Sequence, residues 1–291
     1  MISPQLPKIT PKTFDNKVVT IKSAALNLEN LINGKKIPVK NPYFIAPVIE
    51  AAGVISVDSE TGTVLYEKNA HQKLAFASIT KLMTILIVLE ENNLSDTVKI
   101  SGNAANTEGS KMFLRAGEEI ALENLIYGAI IGSANDAATA LAEHNAGTVS
   151  AFVEKMNTKA KELGLLNTHF SNPVGLDDKN NYSSAYDVAK MAQYIYKHSF
   201  IRHAAQLKSL EVKSISGNFT HKLETTNDLL SDELFKFEGL KTGSTNLAGL
   251  CLVSYVENDN GNEILTVVLN SPARFTETKI LTDWTFRAYK W

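Results

Sequence analysis

A serine and a lysine stand three positions apart in the segment Ser78-Ile-Thr-Lys81. On a helix this spacing places both side chains on one face, with their Cβ atoms about 5–6 Å apart. A serine hydroxyl is a weak nucleophile unless a base beside it takes its proton. A lysine amine can be that base once burial or a neighbouring cation lowers its pKa. The segment therefore predicts a serine nucleophile with a lysine base.

Two further short motifs contain groups that could complete such a site. Ser133-Ala-Asn135 lies in a predicted break between two helices, and Lys241-Thr-Gly243 enters a predicted strand. A cation, a hydroxyl and a glycine on one strand suit carboxylate binding with close backbone approach. Taken singly, the serines could be ordinary helix caps and the lysines ordinary exposed charges. Their order, Ser-x-x-Lys, Ser-x-Asn, Lys-Thr-Gly, is typical of active-serine penicillin-recognising enzymes.

From about Ala51 to Tyr289, the chain resembles the low-molecular-weight penicillin-binding proteins, the serine D-alanyl-D-alanine carboxypeptidases. The resemblance extends beyond the three motifs, and one stretch, Phe170–Asp177 with Ser184–Asp187, is typical of the carboxypeptidases. The other similar blocks are Ala77–Thr84, Ser110–Glu119, Leu125–Gly128, Asn135–Ala138, Lys241–Thr245 and Ala248–Cys251.

The resemblance implies catalytic roles for the matching residues. Ser78 would be the acylated nucleophile, and Lys81 would take its proton. Ser133 would relay a proton to the leaving amine, and Asn135 would hold Lys81 and the substrate amide. Lys241 would lower the pKa of Lys81.

The resemblance also implies how the substrate is bound. The lysine of the third motif, with Thr242 and Gly243, would attract the terminal carboxylate. The backbone N–H groups of Ser78 and Ser244 would form an oxyanion hole. Arg274 resembles the arginine that the family places near the substrate carboxylate, although it could also be a surface charge at a helix start.

The implied reaction removes the terminal D-alanine from a peptidoglycan stem pentapeptide, through an acyl-enzyme that water hydrolyses. β-Lactam antibiotics would mimic the substrate and act as covalent inhibitors at the nucleophilic serine. No metal or other cofactor is expected, because the six histidines form no His-x-x-x-His pair and no Gly-x-x-x-x-Gly-Lys loop occurs.

Two alternatives stay open at this point. The first is a β-lactamase, because Ser244 after Lys-Thr-Gly is more usual in that class. Ala134 is a separate departure, since carboxypeptidases usually have glycine there. A class A β-lactamase also needs a deacylating glutamate in a Glu-x-x-Leu-Asn loop. Glu162-Leu-Gly-Leu-Leu-Asn167 is one residue too long, so Glu162 is expected to end a helix instead. The second alternative is a β-lactam-sensing or wall-binding module, which would keep Ser-x-x-Lys but deacylate slowly.

The pattern of predicted elements indicates how these motifs are positioned. A predicted hairpin precedes a helical stretch, and strand patterns return before a terminal helix over Phe275–Tyr289. Strands from both ends can pair into one antiparallel sheet. We therefore predict an α+β fold: a sheet of about five strands flanked by helices, with an inserted all-helical lobe, as in β-lactamases and transpeptidases. The sheet would take residues 48–75 and 205–291, the lobe residues 76–204, and a ligand cleft would lie between them.

Composition excludes several other classes of protein. The chain has 291 residues, of which 44% are hydrophobic, enough for a substantial core. Lys plus Arg total 29 against 31 Asp plus Glu, so no overall positive charge favours nucleic acid. A single cysteine, Cys251, excludes an internal disulfide framework and is expected to be packed in a strand.

The N-terminal segment differs in charge from the rest of the chain. Residues 1–40 carry seven lysines against Asp15 and Glu29, a net charge of +5, so the remainder sums to -7. We predict an extended segment or linker over residues 1–47, with a short helix around Ser23–Asn33, followed by the catalytic domain over residues 48–291. Neither a signal-like nor a membrane-spanning apolar stretch is present. Because peptidoglycan lies outside the cytoplasmic membrane, we expect an extracytoplasmic protein, secreted or anchored, with this segment as a tether to membrane or wall.

Overall fold

The computed structural model describes residues 31–32, 35–216 and 219–291. The helix predicted around Ser23–Asn33 lies mainly outside the described residues. Its described part, Leu31–Ile32, is extended and pairs with Lys35–Lys36. None of the helices in the described part of the chain is both long enough and apolar enough to cross a bilayer.

The strands and helices follow one another in the order that the sequence patterns predict, with some short additions. The strands are β1 Leu31–Ile32, β2 Lys35–Lys36, β3 Val39–Lys40, β4 Gly53–Asp58, β5 Val64–Lys68, β6 Thr97–Lys99, β7 Glu119–Ala121, β8 Ser209–Lys213, β9 Thr220–Glu224, β10 Lys236–Thr245, β11 Gly249–Glu257, β12 Glu263–Ser271 and β13 Tyr289–Lys290. The α-helices are α1 Lys81–Glu91, α2 Gly102–Asn106, α3 Leu122–Ile130, α4 Asn135–Ala146, α5 Val149–Glu162, α6 Ala185–Ile195, α7 Ser199–Gln206 and α8 Arg274–Ala288.

Five strands form one antiparallel sheet in the order β10-β11-β12-β4-β5. Strands from both ends of the domain therefore meet in one sheet, which confirms the predicted α+β fold. The long strands are rich in Val, Ile, Leu and Thr, side chains that fit a pleated, buried surface. Between β11 and β12, Asn258 Oδ1 accepts the backbone N–H groups of Asn260 and Asn262, so residues 258–261 form the turn of this hairpin.

The helical lobe is built around α1, which contacts α3, α4, α5 and α6. Its residues Lys81–Val88 are all buried. A helix that is apolar on nearly every side must lie inside a protein. The segment Ser78–Lys81 is therefore anchored at the start of a buried helix, where its 3₁₀ turn contacts β10 of the sheet.

The lobe is not purely helical, contrary to the prediction. Strands β6 and β7 pair with each other inside it. Each has only three residues, too few for alternation of apolar and polar residues to signal a strand. Their pairing is stabilised by Val98 and Ile120, which are buried in the main core.

Strands β8 and β9 pair only with each other, so this hairpin does not extend the main sheet, although the prediction gave residues 205–291 to that sheet. Its buried His221 bonds through Nδ1 to the Met112 carbonyl at 2.8 Å and through Nε2 to Glu118 at 2.6 Å. Both partners belong to the lobe. The hairpin is therefore bound to the lobe, because a buried polar side chain needs hydrogen-bond partners.

The terminal helix α8 covers one face of the sheet, where Leu281 and Trp284 pack with Val54 and Val268. The chain then forms β13, which pairs with β3. Part of the predicted linker thus contacts the end of the domain. The proposed boundary near residue 48 stays a prediction.

Candidate active site

The proposed nucleophile and base lie at the start of α1. Ser78 lies in a single 3₁₀ turn, Ala77–Thr80, directly before the helix. Lys81 is the first helical residue, and its Nζ lies 2.7 Å from Ser78 Oγ. Lys81 is fully buried, whereas Ser78 is half-buried. Ala77 has a φ of 49°, a strained value of the kind found at functional sites. The hydroxyl is thus accessible and the amine enclosed.

The surroundings of Lys81 favour its uncharged form. Burial lowers the pKa of Lys81 well below its usual range, and the charge of Lys241 lowers it further, while Asp136 opposes the shift. An uncharged amine has a lone pair that can take the proton of the Ser78 hydroxyl. Lys241 therefore acts on Lys81 in the direction that the family resemblance implies.

A second partner of Lys81 was not indicated by the sequence. Lys81 Nζ donates a hydrogen bond of 2.7 Å to the backbone carbonyl of Val174. Val174 lies in the loop between α5 and α6, 93 positions along the chain. A backbone carbonyl has no residue-type signature, so no side-chain pattern could have identified it.

The second motif lies at the break between α3 and α4, as predicted. Ser133 is buried and has a φ of 56°, another strained value at the site. Asn135 is the first residue of α4, and its backbone N–H donates to the Ser110 carbonyl at 2.6 Å. Its Nδ2 donates to the Glu108 carbonyl at 2.6 Å.

The expected hydrogen bond between Asn135 and Lys81 is not formed. Nδ2 of Asn135 bonds Glu108, and its buried Oδ1 has no hydrogen-bond partner within the described ranges. Lys81 bonds Ser78 and Val174 instead. A buried acceptor remains available for an incoming N–H group.

The third motif lies on β10, the edge strand of the sheet. Lys241 and Thr242 are buried, and Lys241 Nζ donates to the Thr242 carbonyl at 3.1 Å. Burial, and then the charge of Arg274, lower the pKa of Lys241 to about 7. The Thr242 hydroxyl also bonds the hydroxyl of Thr226. Sequence reasoning missed Thr226, since an isolated threonine before a turn has no catalytic signature.

Gly243 allows β10 to lie directly against the nucleophile turn. A Cβ at this position would stand 3.0 Å from the Phe76 carbonyl oxygen and 3.1 Å from the Ser78 nitrogen. Ser244 follows and is exposed. The two proposed oxyanion donors, the N–H groups of Ser78 and Ser244, therefore lie on adjoining elements.

Arg274 lies beside the same strand, at the first turn of α8. Its Nη1 donates to the Gly243 carbonyl at 2.8 Å. Its buried Nε has no hydrogen-bond partner in the part of the chain that the structure describes. The guanidinium also stands over the ring of Phe275. The site thus has two cations beside β10, an arrangement suited to a carboxylate ligand.

Asp136 is a buried carboxylate for which the sequence indicated no role. It accepts the backbone N–H groups of Met112 at 3.1 Å, Leu114 at 3.0 Å and Ala137 at 2.9 Å. The only sequence signal was an acidic residue in the first turn of a predicted helix. Asp136 fastens the loop before β7 to the start of α4, next to Asn135.

Two further expectations concern residues outside the site. Glu162 ends α5, as predicted, and its side chain is 61% exposed, 3.8 Å from Lys159. Cys251 is completely buried in β11, and burial raises the pKa of its thiol to about 11. A buried, protonated thiol is unreactive.

Comparison with known proteins agrees with this geometry. The sequence model of the D-alanyl-D-alanine carboxypeptidase family, peptidase S11, matches residues 40–273. The D-alanyl-D-alanine carboxypeptidase DacF of Bacillus subtilis is 36% identical over 257 residues, which cover 83% of this chain and 63% of that protein. DacA of Haemophilus influenzae, with the same activity name, is 35% identical and is covered to 64%. The chain thus spans slightly less than two thirds of the length of these relatives.

Solved structures share the fold. The DD-transpeptidase of Streptomyces K15 superposes with a TM-score of 0.78 at 32% identity, over 84% of this chain and 99% of that one. The family match covers most of the chain, and the fold and the order of the three motifs agree with it. The chain therefore belongs to the D-alanyl-D-alanine carboxypeptidase family, peptidase S11.

Proposed function

We propose that this protein is a serine D-alanyl-D-alanine carboxypeptidase acting on peptidoglycan stem peptides. The observation that carries the proposal is the 2.7 Å contact between Ser78 Oγ and Lys81 Nζ. The amine is buried, its pKa is lowered, and it lies next to a strand that carries a second buried lysine, Lys241. Family membership supports the same activity.

The first step forms the acyl-enzyme. Ser78 Oγ attacks the carbonyl carbon of the bond between the last two D-alanines, and its proton passes to Lys81 Nζ. The carbonyl oxygen becomes an oxyanion that accepts the N–H groups of Ser78 and Ser244. Such a donor lowers a barrier by about 3–4 kcal/mol. The carbon–nitrogen bond then breaks.

The leaving group is free D-alanine, whose nitrogen needs a proton. We propose that Ser133 passes this proton from Lys81 to the nitrogen, since the hydroxyl can both donate and accept. The peptide remains as an ester on Ser78. A water molecule then attacks the ester carbonyl, releases the shortened peptide and restores the Ser78 hydroxyl.

Substrate recognition is assigned to the groups around β10. Lys241, Thr242 and Arg274 would bind the terminal carboxylate, and Gly243 lets the strand lie close to Ser78. The unpartnered Oδ1 of Asn135 would accept a substrate amide N–H. β-Lactams, which carry a carboxylate beside a strained amide, would acylate Ser78 in the same way.

This activity implies an extracytoplasmic location, because cross-linkable stem peptides lie outside the cytoplasmic membrane. We propose that residues 48–291 form the catalytic domain and that residues 1–47 serve as a tether. The seven lysines of the first forty residues could meet anionic lipid or wall polymer. A vesicle-binding measurement with and without residues 1–40 tests the tether, and equal binding would refute it.

The activity is tested by incubating the protein with a peptide ending in D-Ala-D-Ala and measuring free D-alanine. Ser78→Ala is the matched control, and it should release none. No release by the unaltered protein would refute the proposal. Rapid hydrolysis of a chromogenic cephalosporin without peptide cleavage would indicate a β-lactamase. Lasting acylation with neither activity would indicate a sensor.

Peptide-bond formation is a second candidate activity. A solved structure with the same fold is named a DD-transpeptidase, and an acyl-enzyme can react with an amine as well as with water. Adding a glycine-based acceptor to the same assay distinguishes the two. A carboxypeptidase yields mainly the shortened peptide, whereas a transpeptidase yields mainly the amine adduct.

A further inference from the structure

The carboxypeptidase-like stretch Phe170–Asp177 contributes no side chain to the proposed reaction, yet its backbone contacts the proposed base, Lys81. Lys81 Nζ has Ser78 Oγ and the Val174 carbonyl as neighbours, each at 2.7 Å. A carbonyl oxygen only accepts, so one N–H of the amine must point to Val174. An uncharged amine has two N–H bonds and one lone pair. Fixing one N–H limits rotation about Cε–Nζ and leaves the lone pair free to face Ser78.

The Val174 carbonyl is held in place by a side chain. Residues 171–178 form neither helix nor strand, so their backbone groups need other partners. Asn172 Oδ1 accepts the N–H groups of Val174 at 3.2 Å, Gly175 at 2.7 Å and Leu176 at 3.1 Å. Asn172 Nδ2 donates back to the Leu176 carbonyl at 3.0 Å. One amide side chain thus sets the shape of the loop.

The loop also contacts both helix α1 and the nucleophile turn before it. The Thr84 hydroxyl of α1 donates to the Pro173 carbonyl at 2.6 Å. Gly175 has a φ of +87°, and a Cβ there would stand 2.0 Å from the Ala77 carbonyl oxygen. The loop backbone therefore lies directly on the backbone that carries Ser78.

We propose that Asn172 is a positioning residue for the reaction: it shapes the loop so that the Val174 carbonyl orients Lys81 Nζ toward Ser78 Oγ. The proposal rests on the proposed function, since it assigns Lys81 as the base. Asn172 acts through Val174 and does not touch the reacting atoms.

The test compares Asn172→Ala with Asn172→Asp, which keeps an acceptor oxygen for the three N–H groups. The rate constant for Ser78 acylation by a fluorescent β-lactam, and kcat and KM for D-alanine release, are measured against pH. In Asn172→Ala we expect acylation and kcat to fall about 100-fold with KM nearly unchanged. The acid limb should also move, because the Val174 carbonyl and the burial around it both act on the pKa of Lys81. Asn172→Asp should recover most of the rate.

Asn258→Ala is the matched control, since Asn258 caps backbone N–H groups in the same way in the distant β11–β12 turn. It should leave acylation and its pH profile unchanged. Equal loss in Asn172→Ala and Asn172→Asp, or loss without movement of the acid limb, would show a structural role only and overturn the proposal. If Asn172→Ala does not fold, Asn172→Asp decides: a rate reduced as far as in Lys81→Ala overturns it. Failure of the unaltered protein to release D-alanine would instead refute the proposed function.

Discussion

The proposed reaction places opposite requirements on the charges of two lysines. In it, Lys81 must be uncharged to accept a proton, whereas Lys241 must be charged to attract a carboxylate. Both are buried, and burial is the largest cause of the lowered pKa in each: that of Lys81 is lowered well below its usual range, and that of Lys241 falls to about 7. The charge of Lys241 adds to the lowering of the Lys81 pKa, so a charged Lys241 favours an uncharged Lys81.

Carboxylate binding should weaken as the pH rises through 7, since the pKa of Lys241 is lowered to about 7 and its charge is then lost. We expect KM for a D-Ala-D-Ala peptide to rise at least about 10-fold between about pH 6.5 and about pH 8.5, with a smaller change in kcat. Lys241→Arg keeps the charge and should flatten this rise. Lys290→Arg, on the exposed β13, is the control. An undiminished rise in Lys241→Arg would contradict the assignment.

Gly243→Ala tests the close approach of β10 to the nucleophile. The added methyl would meet backbone atoms of Phe76 and Ser78 at about 3 Å, so the strand must shift by a few tenths of an ångström. We expect β-lactam acylation to slow about 10-fold to 100-fold, because misplaced oxyanion donors stabilise the transition state less. In Gly102→Ala the methyl meets nothing within 4 Å, and acylation should be unchanged. Unaltered acylation in both variants would contradict this view of Gly243.

At the scale of elements, the site is assembled by contacts between loops and element ends. The turn before α1 carries Ser78, the proposed nucleophile, the start of α4 carries Asn135, and edge strand β10 carries Lys241. As the edge strand of the sheet, β10 has a strand partner on one side only. The turn Ala77–Thr80 packs against it at Gly243, where an added Cβ would meet backbone atoms of Phe76 and Ser78. The lobe and the sheet therefore meet at the proposed site.

Asp136→Asn tests how the lobe side of the site is held. Asp136 accepts three backbone N–H groups, and an amide would turn its NH₂ toward at least one of them. We expect the free energy of unfolding to fall by about 1–3 kcal/mol, measured by urea denaturation. Because Asp136 raises the pKa of Lys81, its loss should also extend acylation to lower pH. An acid limb that moves to higher pH would contradict this coupling. Asp283→Asn, on the exposed face of α8, is the control.

At the scale of the whole molecule, the buried lysines reduce stability. A lysine with a lowered pKa in the folded state binds its proton more tightly when unfolded, where its pKa is about 10.4. The unfolded chain then holds more protons between about pH 7 and that value. Stability from this source therefore rises with pH across the window.

Replacing Lys241 by Met should stabilise the fold while abolishing D-alanine release. At neutral pH we expect a gain on the order of 1–4 kcal/mol, since the cost of the buried cation is removed. The difference from the unaltered protein should shrink by about 1 kcal/mol per pH unit between pH 7 and 9. Urea denaturation at several pH values measures it. A Lys241→Met variant that is less stable at pH 7 would refute this account.

The amino-acid sequence alone was enough to predict the class of the fold, which the structure confirms, and to propose the chemistry of the site. The spacing of Ser78 and Lys81 is local, so a single turn of helix is enough to bring them together. Hydrophobic patterns and turn residues likewise act over a few residues, and they predicted the hairpins, the main helices and the five-stranded sheet. The short strands β6 and β7 were not predicted, because three residues are too few to show the alternation of apolar and polar side chains that indicates a strand.

The folded chain was needed to show which distant groups lie beside the proposed site residues. Asn135 bonds Glu108 rather than Lys81, and the β8–β9 hairpin docks on the lobe through His221. Lys81 meets a backbone carbonyl 93 positions away. Every residue has such a carbonyl, so its use depends on the path of the folded chain and not on residue type. The side chains of the proposed site could therefore be identified from the sequence, whereas the backbone groups that orient them could be identified only from the folded structure.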